Sequence, residues 1–516
     1  MPDPAPSATI EFPSMYILRN AILGKFARER DPMRSTTRHL LTAMTIGVIT
    51  AAIIGGHQGL VVSVTYALCL ALIWFTGIRA LIIWMRSRSP TDPAAGTAIP
   101  RIALLYCTAD DLSATALRAS AAQDVPVDVY LLDDSTSAAV RTAVDALAAE
   151  LCATVIRREN RTGAKAGNIN HGLGHIDPAT DAVVILDSDT VLPADFVRRT
   201  SAALIADARI ACVQAVPVAG GKTHFARFFG PLVQSHARIN HATRARIGFP
   251  AFVGRGALLS VHALRAVGGF PLAVSEDLAL SVRLREHGYR IVHRPEIEFH
   301  EDFPIDYAAF RVQQGKAAEG ATEFLFSARN RALPRRESAD LLMETALLPL
   351  GAAAGLAALA LGTTLALRGT PMPPLLAAVT AVLALAPLLP EAVRRLRAHA
   401  PLSAALFLAL APLLYASVAL HVIRHTAAVA RGRSARFVVT PKQAARTGIS
   451  RALATMHLEW SWALMALTVA IALQTPLLGV PFLMPAVTGT ILLLWGARTR
   501  SIGPNPVPAH ARVRTS

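Results

Sequence analysis

Apolar and polar positions fall into blocks along this chain. Residues 39–85 hold two apolar stretches, LLTAMTIGVITAAIIG and LVVSVTYALCLALIWFTGIRALIIWM, broken near GGHQG. Spanning a bilayer takes roughly 20 helical residues, so the pair predicts a transmembrane hairpin with a very short loop. A linker follows at 89–99. From 100 to about 330 the pattern changes to short β-type runs: RIALLYCTA (101–109), DVYLLDD (128–134), CATVIRR (152–158), DAVVILD (181–187) and IACVQAVP (210–217). Helical composition fills the gaps between them, as in LSATALRASAAQ and AAVRTAVDALAAEL. Strand–helix alternation predicts a mostly parallel sheet covered on both faces, with strand-end acids on the carboxyl edge, where open α/β sheets bind ligands.

After 340 the chain turns apolar again, at 341–367, 372–390, 402–424, 461–476 and 478–496. Arg38 precedes the first hairpin and Arg86 and Arg88 follow it, which places both its ends in the cytoplasm by the positive-inside rule. If all five later segments span, the basic stretch HTAAVARGRSAR (425–436) and the basic tail end up outside, against that rule. If 402–424 lies along the cytoplasmic interface instead, both return inside. Pro401, Pro412 and the basic run after the segment fit that placement, although its hydropathy argues for a span. The expectation is six spanning helices, two before the polar domain and four after. The chain then divides into a cytoplasmic N-terminal segment (1–36), a transmembrane hairpin (37–88), a cytoplasmic α/β domain (89–330), transmembrane helices with a loop (331–400), an interfacial helix and loop (401–459), two more spans (460–498) and a basic tail (499–516).

Composition supports a membrane protein. The 516 residues are 53% hydrophobic and only 17% charged, against about a quarter charged in ordinary soluble domains. The net charge of +16 sits largely beside apolar runs. With no basic patch interleaved with aromatics, it reads as topology signal and lipid contact rather than nucleic-acid binding. Cys69, Cys107, Cys152 and Cys212 are far apart, with neither metal-ligand spacing nor a disulfide framework. The N-terminus does not read as a signal peptide, since its first 37 residues are polar and mixed in charge.

The chemistry sits at the strand ends. VVILDSDTVLP (183–193) runs four apolar residues into Asp187 and Asp189. Two carboxylates at i and i+2 on a turning chain can address one small region, and hard divalent cations take such oxygens together with phosphates. A plain Asp-rich turn before Pro193 is the alternative. VYLLDDSTS (129–137) repeats the construction with Asp133 and Asp134. RTGAKAGNINHGL (161–173) offers glycines, Asn168, Asn170 and the cation Lys165, either as a phosphate or base contact or as a simple helix start. Glu276 and Asp277 precede an amphipathic helical pattern. Ser275–Glu276 reads as an N-cap, or one of the acids serves as a general base.

Taken in order, these motifs resemble the inverting family 2 glycosyltransferases, in particular the processive, membrane-embedded kind typified by cellulose synthase catalytic subunits. Their acidic pair, D-x-D, T-E-D and Q-x-x-R-W find counterparts in DD (133–134), DSD (187–189), SED (275–277) and QQGKA (313–317). KAGNIN and GRGALL also match, and FVVTPK (437–442) is similar to the family's cytoplasmic gating loop F-x-V-T-x-K. The resemblance covers roughly 37–498. It implies a GT-A type α/β domain inserted between transmembrane helices, with interfacial helices beside them, in the cell inner (plasma) membrane. The implied reaction passes a sugar, from a UDP-hexose in most such enzymes, to a growing β-linked polysaccharide, with export coupled to it.

The same resemblance assigns Asp133, Asp134, Lys165 and Asp187 to the donor and Asp189 to a Mg²⁺ or Mn²⁺ ion. Asp277, with Glu276, becomes the catalytic acid pair. Gln313 and Lys316 go to the acceptor or diphosphate, and Phe437, Val439, Thr440 and Lys442 to the gate. Implied partners are a nucleotide sugar, a polysaccharide or lipid-linked acceptor, membrane lipid and an accessory export subunit. Two departures matter. Lys316 replaces an arginine and lacks its planar fork, and Ala317 removes the indole that the family places beside the acceptor sugar. Transfer of a single sugar to a lipid acceptor is therefore the competing activity. A transporter or scaffold with a degenerate nucleotide fold is the competing class.

Overall fold

The computed structural model describes residues 45, 60–87, 99–327, 333–435, 440–441 and 448–496. The first apolar stretch of the expected hairpin lies almost wholly outside them, as do Phe437, Val439 and Lys442.

Seven strands form one sheet in the order β3-β2-β1-β4-β6-β5-β7. They are β1 (Ile102–Thr108), β2 (Asp128–Asp133), β3 (Thr154–Ile156), β4 (Ala182–Leu186), β5 (Ile210–Gly220), β6 (Ala257–Ser260) and β7 (Arg290–Asp302). β6 runs antiparallel to both its neighbours, and the other pairings are parallel. The five expected strands are present, with β3 reduced to three residues. β6 and β7 are additions. All five residues of β4, AVVIL, are buried. Val183 and Ile185 pack on one face with Leu105 and Leu132, and Val184 and Leu186 on the other with Leu104 and Leu131. A strand covered on both faces must be apolar throughout rather than alternating, which explains the unbroken run before Asp187.

The order places β1 between β2 and β4, so the chain leaves the first crossover on one side of β1 and returns on the other. This is a topological switch point, and the crevice at the carboxyl ends of β1 and β4 is where such sheets bind ligands. Thr108 pairs with Asp133 and Tyr106 with Leu186, which brings the acidic ends of β2 and β4 to one edge. Gly220 pairs with Asp302 at the carboxyl ends of β5 and β7. The antiparallel β6 starts from that same edge.

Among the described residues, five helices are long and apolar enough to cross a membrane: Val61–Arg86, Arg335–Leu367, Pro374–Arg397, Pro401–Ala430 and Pro476–Trp495. His457–Ala472, where a span was expected at 461–476, has 16 residues and is shorter than these. Pro401–Ala430 qualifies by length and composition, where the charge pattern led to an interfacial expectation for 402–424. Its contacts run along the α/β domain. Phe407 meets Phe228, Tyr415 meets Phe310, and Ser417 Oγ accepts from the Tyr307 hydroxyl at 2.8 Å. His421 contacts Arg311, and His425 Nδ1 lies 2.7 Å from Glu319. The contacts ascend along both helices, from Tyr307–Ser417 through Arg311–His421 to Glu319–His425, so the second half of Pro401–Ala430 runs alongside Tyr307–Phe326 in the same direction.

Candidate active site

The DSD turn is built around its serine. Ser188 is buried, its hydroxyl donates to Asp111 at 2.5 Å, and its carbonyl accepts from the Tyr106 hydroxyl at 3.0 Å. Burying the middle residue turns its two neighbours towards the cavity. Asp187 Oδ1 meets the Lys165 ammonium at 2.5 Å, and Asp187 Oδ2 lies 3.7 Å from Arg255 Nε. Asp189 Oδ2 accepts from the Asp302 backbone N–H at 3.2 Å.

Lys165 stands in the first turn of the helix Ala164–Leu173 and also donates to the Gly254 carbonyl at 2.9 Å. Burial would lower its pKa, but the Asp187 and Glu276 carboxylates outweigh burial and keep the ammonium charged above its ordinary range. Arg158 positions the loop before this helix by grasping Asp134 through two bonds, at 2.9 and 2.7 Å, while donating to the Thr162 and Ala164 carbonyls. Asn168 is buried in the cavity wall. Its Nδ2 donates to the Leu132 carbonyl, while its Oδ1 has no hydrogen-bond partner among the described residues. Such an orphaned acceptor suits a donor on a ligand.

Glu276 and Asp277 open the helix Glu276–Glu286. Ser275 precedes it but makes no side-chain cap bond, so the N-cap reading of Ser275 does not hold. Burial, and then the neighbouring Asp277, push Glu276 up to about 7, against the pull of Lys165. Lys316, on Tyr307–Phe326, is lowered by burial despite the Glu276, Asp187 and Asp277 carboxylates nearby.

These groups share one cavity of about 790 Å³. Its wall includes Asp134, Lys165, Asp187, Asp189, Glu276, Asp277, Gln313, Lys316, Ala317 and Thr440. Asp133 is a correction to the expected donor set. It is buried beneath the edge, where its carboxylate accepts from Arg157 Nε at 2.7 Å and from the Ser135 N–H at 2.9 Å, and it does not line the cavity. The first acid of the pair holds the strand end together and the second faces the site. Cys107 also lines the cavity, but burial pushes its thiol up to about 12, so it is no thiolate nucleophile at neutral pH.

Three residues that were not singled out from sequence belong to this wall: Asp111, Arg255 and Glu301. Arg255 carried a signal, since a charge between two glycines in FVGRGALLS is an unusual strand entry. Glu301 and Asp302 end the undetected β7, so strand-end acids again mark the edge.

For a divalent ion, Asp189 and its neighbour Asp302 offer hard oxygens at the cavity wall. No group of three or more His, Cys, Asp or Glu side chains is poised to hold an ion among the described residues. That suits Mg²⁺ or Mn²⁺ bound by one or two carboxylates with the remaining oxygens from a substrate diphosphate.

The description glycosyl transferase family group 2 matches residues 182–496, more than half of the chain, and glycosyl transferase family 21 matches residues 60–301. A probable glucomannan 4-beta-mannosyltransferase 1 of Arabidopsis thaliana is 29% identical over 196 residues, 36% of this chain and 35% of that protein. The glucans biosynthesis glucosyltransferase H of Rhodopseudomonas palustris is 29% identical over 206 residues, 35% of this chain and 28% of that protein. The matched region thus spans about a third of these relatives. Among solved structures, a mannosyltransferase, PcManGT, from Pyrobaculum calidifontis in complex with GDP-Man and Mn²⁺ is similar at 20% identity, over 73% of this chain and 99% of its own, with a TM-score of 0.45.

Proposed function

The chain belongs to glycosyl transferase family group 2, and we propose that it passes a sugar from a nucleoside diphosphate donor to a hydroxyl of a growing β-linked polysaccharide at a membrane face, inverting the anomeric carbon. The observation that supports this most is a single cavity whose wall carries Lys165, Asp187 and Asp189 together with Asp277, Gln313 and Lys316. Donor and acceptor groups need that adjacency for a direct displacement.

Asp134, Lys165 and Asp187 flank the nucleotide. Asn168 Oδ1 receives a hydrogen bond from the base or ribose. Asp189 holds the divalent ion, which supplies positive charge against the leaving diphosphate. Asp277 accepts the proton of the acceptor hydroxyl as that oxygen meets the anomeric carbon. Glu276, pushed up to about 7 by burial and by Asp277, is about half protonated at neutral pH and so reduces the charge beside Asp277. Thr440, in the cavity wall, belongs to a segment that closes over the donor and shuts out water.

The membrane arrangement follows the same reading. The α/β domain and the basic tail face the cytoplasm, and the enzyme is a multi-pass protein of the inner membrane. Pro401–Ala430 lies along the interface beneath the catalytic domain. Support comes from both flanks of this helix. Arg395, just before it, stacks over Phe228 and donates to the Phe228 carbonyl, and Arg433, just after it, pairs with Glu319. A helix that crossed a bilayer could not keep both flanks on one domain.

Transfer of one sugar to a lipid acceptor is the second reading, and Ala317 favours it by offering no ring on which a sugar chain can stack. One experiment addresses both. The purified full-length protein is given a panel of labelled UDP- and GDP-sugars with Mg²⁺ or Mn²⁺, with chelator as control, and product length is measured. A ladder of long products supports the first reading and a single addition to lipid the second. No turnover with any donor sinks both.

A further inference from the structure

We propose that Arg255 is a phosphate-binding residue of the transfer reaction, the fixed cation that receives the terminal phosphate of the leaving diphosphate beside Lys165, on the other oxygen of the Asp187 carboxylate. This rests on the reading of the cavity as a nucleotide-sugar site. Arg255 stands just before β6, at the end of the long helical segment (221–256) that follows β5, on the same sheet edge as the DSD turn. Its mount is rigid. Gly256 N–H donates to the Ile185 carbonyl of β4 at 3.2 Å, Gly256 carbonyl accepts from Ala215 N–H of β5 at 3.1 Å, and the Arg255 carbonyl accepts from the buried Gln214 amide at 3.0 Å. Gly254 and Gly256 have φ of +86° and +59°, and a Cβ on Gly256 would come within 2.1 Å of the Phe299 ring. Neither position tolerates a side chain, so the backbone on both sides of the arginine is fixed.

The side chain is held as firmly. Nε and Nη2 both donate to the buried Glu301 carboxylate, Nη2 at 2.7 Å, and Nη1 donates to the Val253 carbonyl at 3.2 Å. A guanidinium has five N–H groups, so two remain for a ligand. The cavity side of the group is accessible, since the side chain is 29% exposed while lining the wall. Burial disfavours its charge, but Glu301, then Asp187 and Asp189, hold the guanidinium protonated. The arrangement is that of a preorganised electrostatic site: a cation oriented before the reaction, in a partly dry pocket, at no cost in reorganisation. A planar fork with two free N–H groups matches a phosphate.

In the reaction, the acceptor oxygen bonds to the anomeric carbon as the bond from that carbon to the terminal phosphate oxygen breaks. The electron pair leaves on the phosphate oxygen and the acceptor proton goes to Asp277. Charge therefore grows on the terminal phosphate, where Arg255 receives it. In this assignment Arg255 contacts the terminal phosphate and makes no contact with the nucleoside or its first phosphate.

That division gives the test. Binding of UDP, UMP, GDP and GMP to the detergent-purified full-length enzyme is measured for wild type, Arg255→Met, Arg255→Lys and Glu301→Gln, together with turnover. In Arg255→Met the affinity for the preferred diphosphate falls about tenfold or more, the matching monophosphate affinity stays within about twofold, and turnover drops about 10²–10³-fold, the loss typical of one removed oxyanion donor. Arg255→Lys recovers part of the diphosphate affinity, and Glu301→Gln, which loosens the guanidinium without removing it, falls between. If Arg255→Met loses stability, the Glu301→Gln ratio of diphosphate to monophosphate affinity carries the comparison. Unchanged diphosphate affinity, or a parallel loss of both affinities in all three variants, overturns the assignment and leaves Arg255 a structural ion pair. Wild-type enzyme that binds none of the four nucleotides overturns the nucleotide-sugar reading itself.

Discussion

In the proposed reaction Asp277 takes the acceptor proton, and Glu276 is its buried neighbour. Asp277→Asn keeps the size and cannot take a proton, so turnover should fall about 10²–10⁴-fold while nucleotide affinity is retained. Steady-state rates and nucleotide titration check this together, and parallel losses in both would move Asp277 to the donor side. Glu276 gives a pH signature. Its pKa of about 7 in the fold stands above the ordinary 4.5, so between those values the native state holds a proton that the unfolded chain has lost. Stability therefore falls as pH rises through that window and is lowest above it. Glu276→Gln should raise the melting temperature relative to wild type at pH 8 and change it little at pH 5. A larger gain at pH 5 would contradict the raised pKa. At this scale the sequence was readable where an acid ended an apolar strand, as at Asp187 and Asp189. It was misleading at Asp133, because one residue of register separates a carboxylate buried beneath the edge from one at the cavity wall, and only the sheet decides which is which. Arg255 stood in a quoted motif, but the residue that orients it did not show: Glu301 is 46 residues away, and no local pattern links them.

Among the elements, the long apolar strands β1 and β4 announced themselves by continuous hydrophobicity. β6, at four residues, is too short to stand out, and β7 carries RPEIEFHED, whose charges come from an edge strand that water reaches on one side. The helix Pro401–Ala430 exposed the opposite weakness. Hydropathy counts apolar residues but does not say whether lipid or a neighbouring domain covers them. Here His421 and His425 sit within an apolar helix because Arg311 and Glu319 on the parallel helix partner them. On the interfacial placement proposed for this helix, position 434 shares a compartment with the active site. A single cysteine at Ser434, in a background without the four native thiols, should resist an impermeant thiol reagent on intact cells and react once the membrane is opened. Labelling from outside would show a crossing helix.

For the whole molecule, the joint between catalyst and membrane part is both ionic and apolar. Arg244 of the α/β domain and Arg79 of Val61–Arg86 both pair with Asp340 and Glu344 at the start of Arg335–Leu367. Three parts of the chain thus meet at two carboxylates, and removing either leaves buried guanidinium groups short of a partner. Beside that joint, Phe225, Phe229, Phe303, Tyr307 and Phe310 of the catalytic domain are buried in one cluster with Phe407, Leu414, Val418, Met456 and Leu493. The catalytic unit is consequently not detachable. Residues 99–327 produced alone would present that aromatic face to water, and a contiguous apolar surface of this kind drives self-association. Gel filtration of the excised piece should give aggregates or a detergent-dependent species rather than a monodisperse monomer. The boundary between soluble enzyme and membrane anchor is in this respect a matter of chain order only, and whatever disturbs the bilayer-side helices is felt at the wall that carries Gln313 and Lys316.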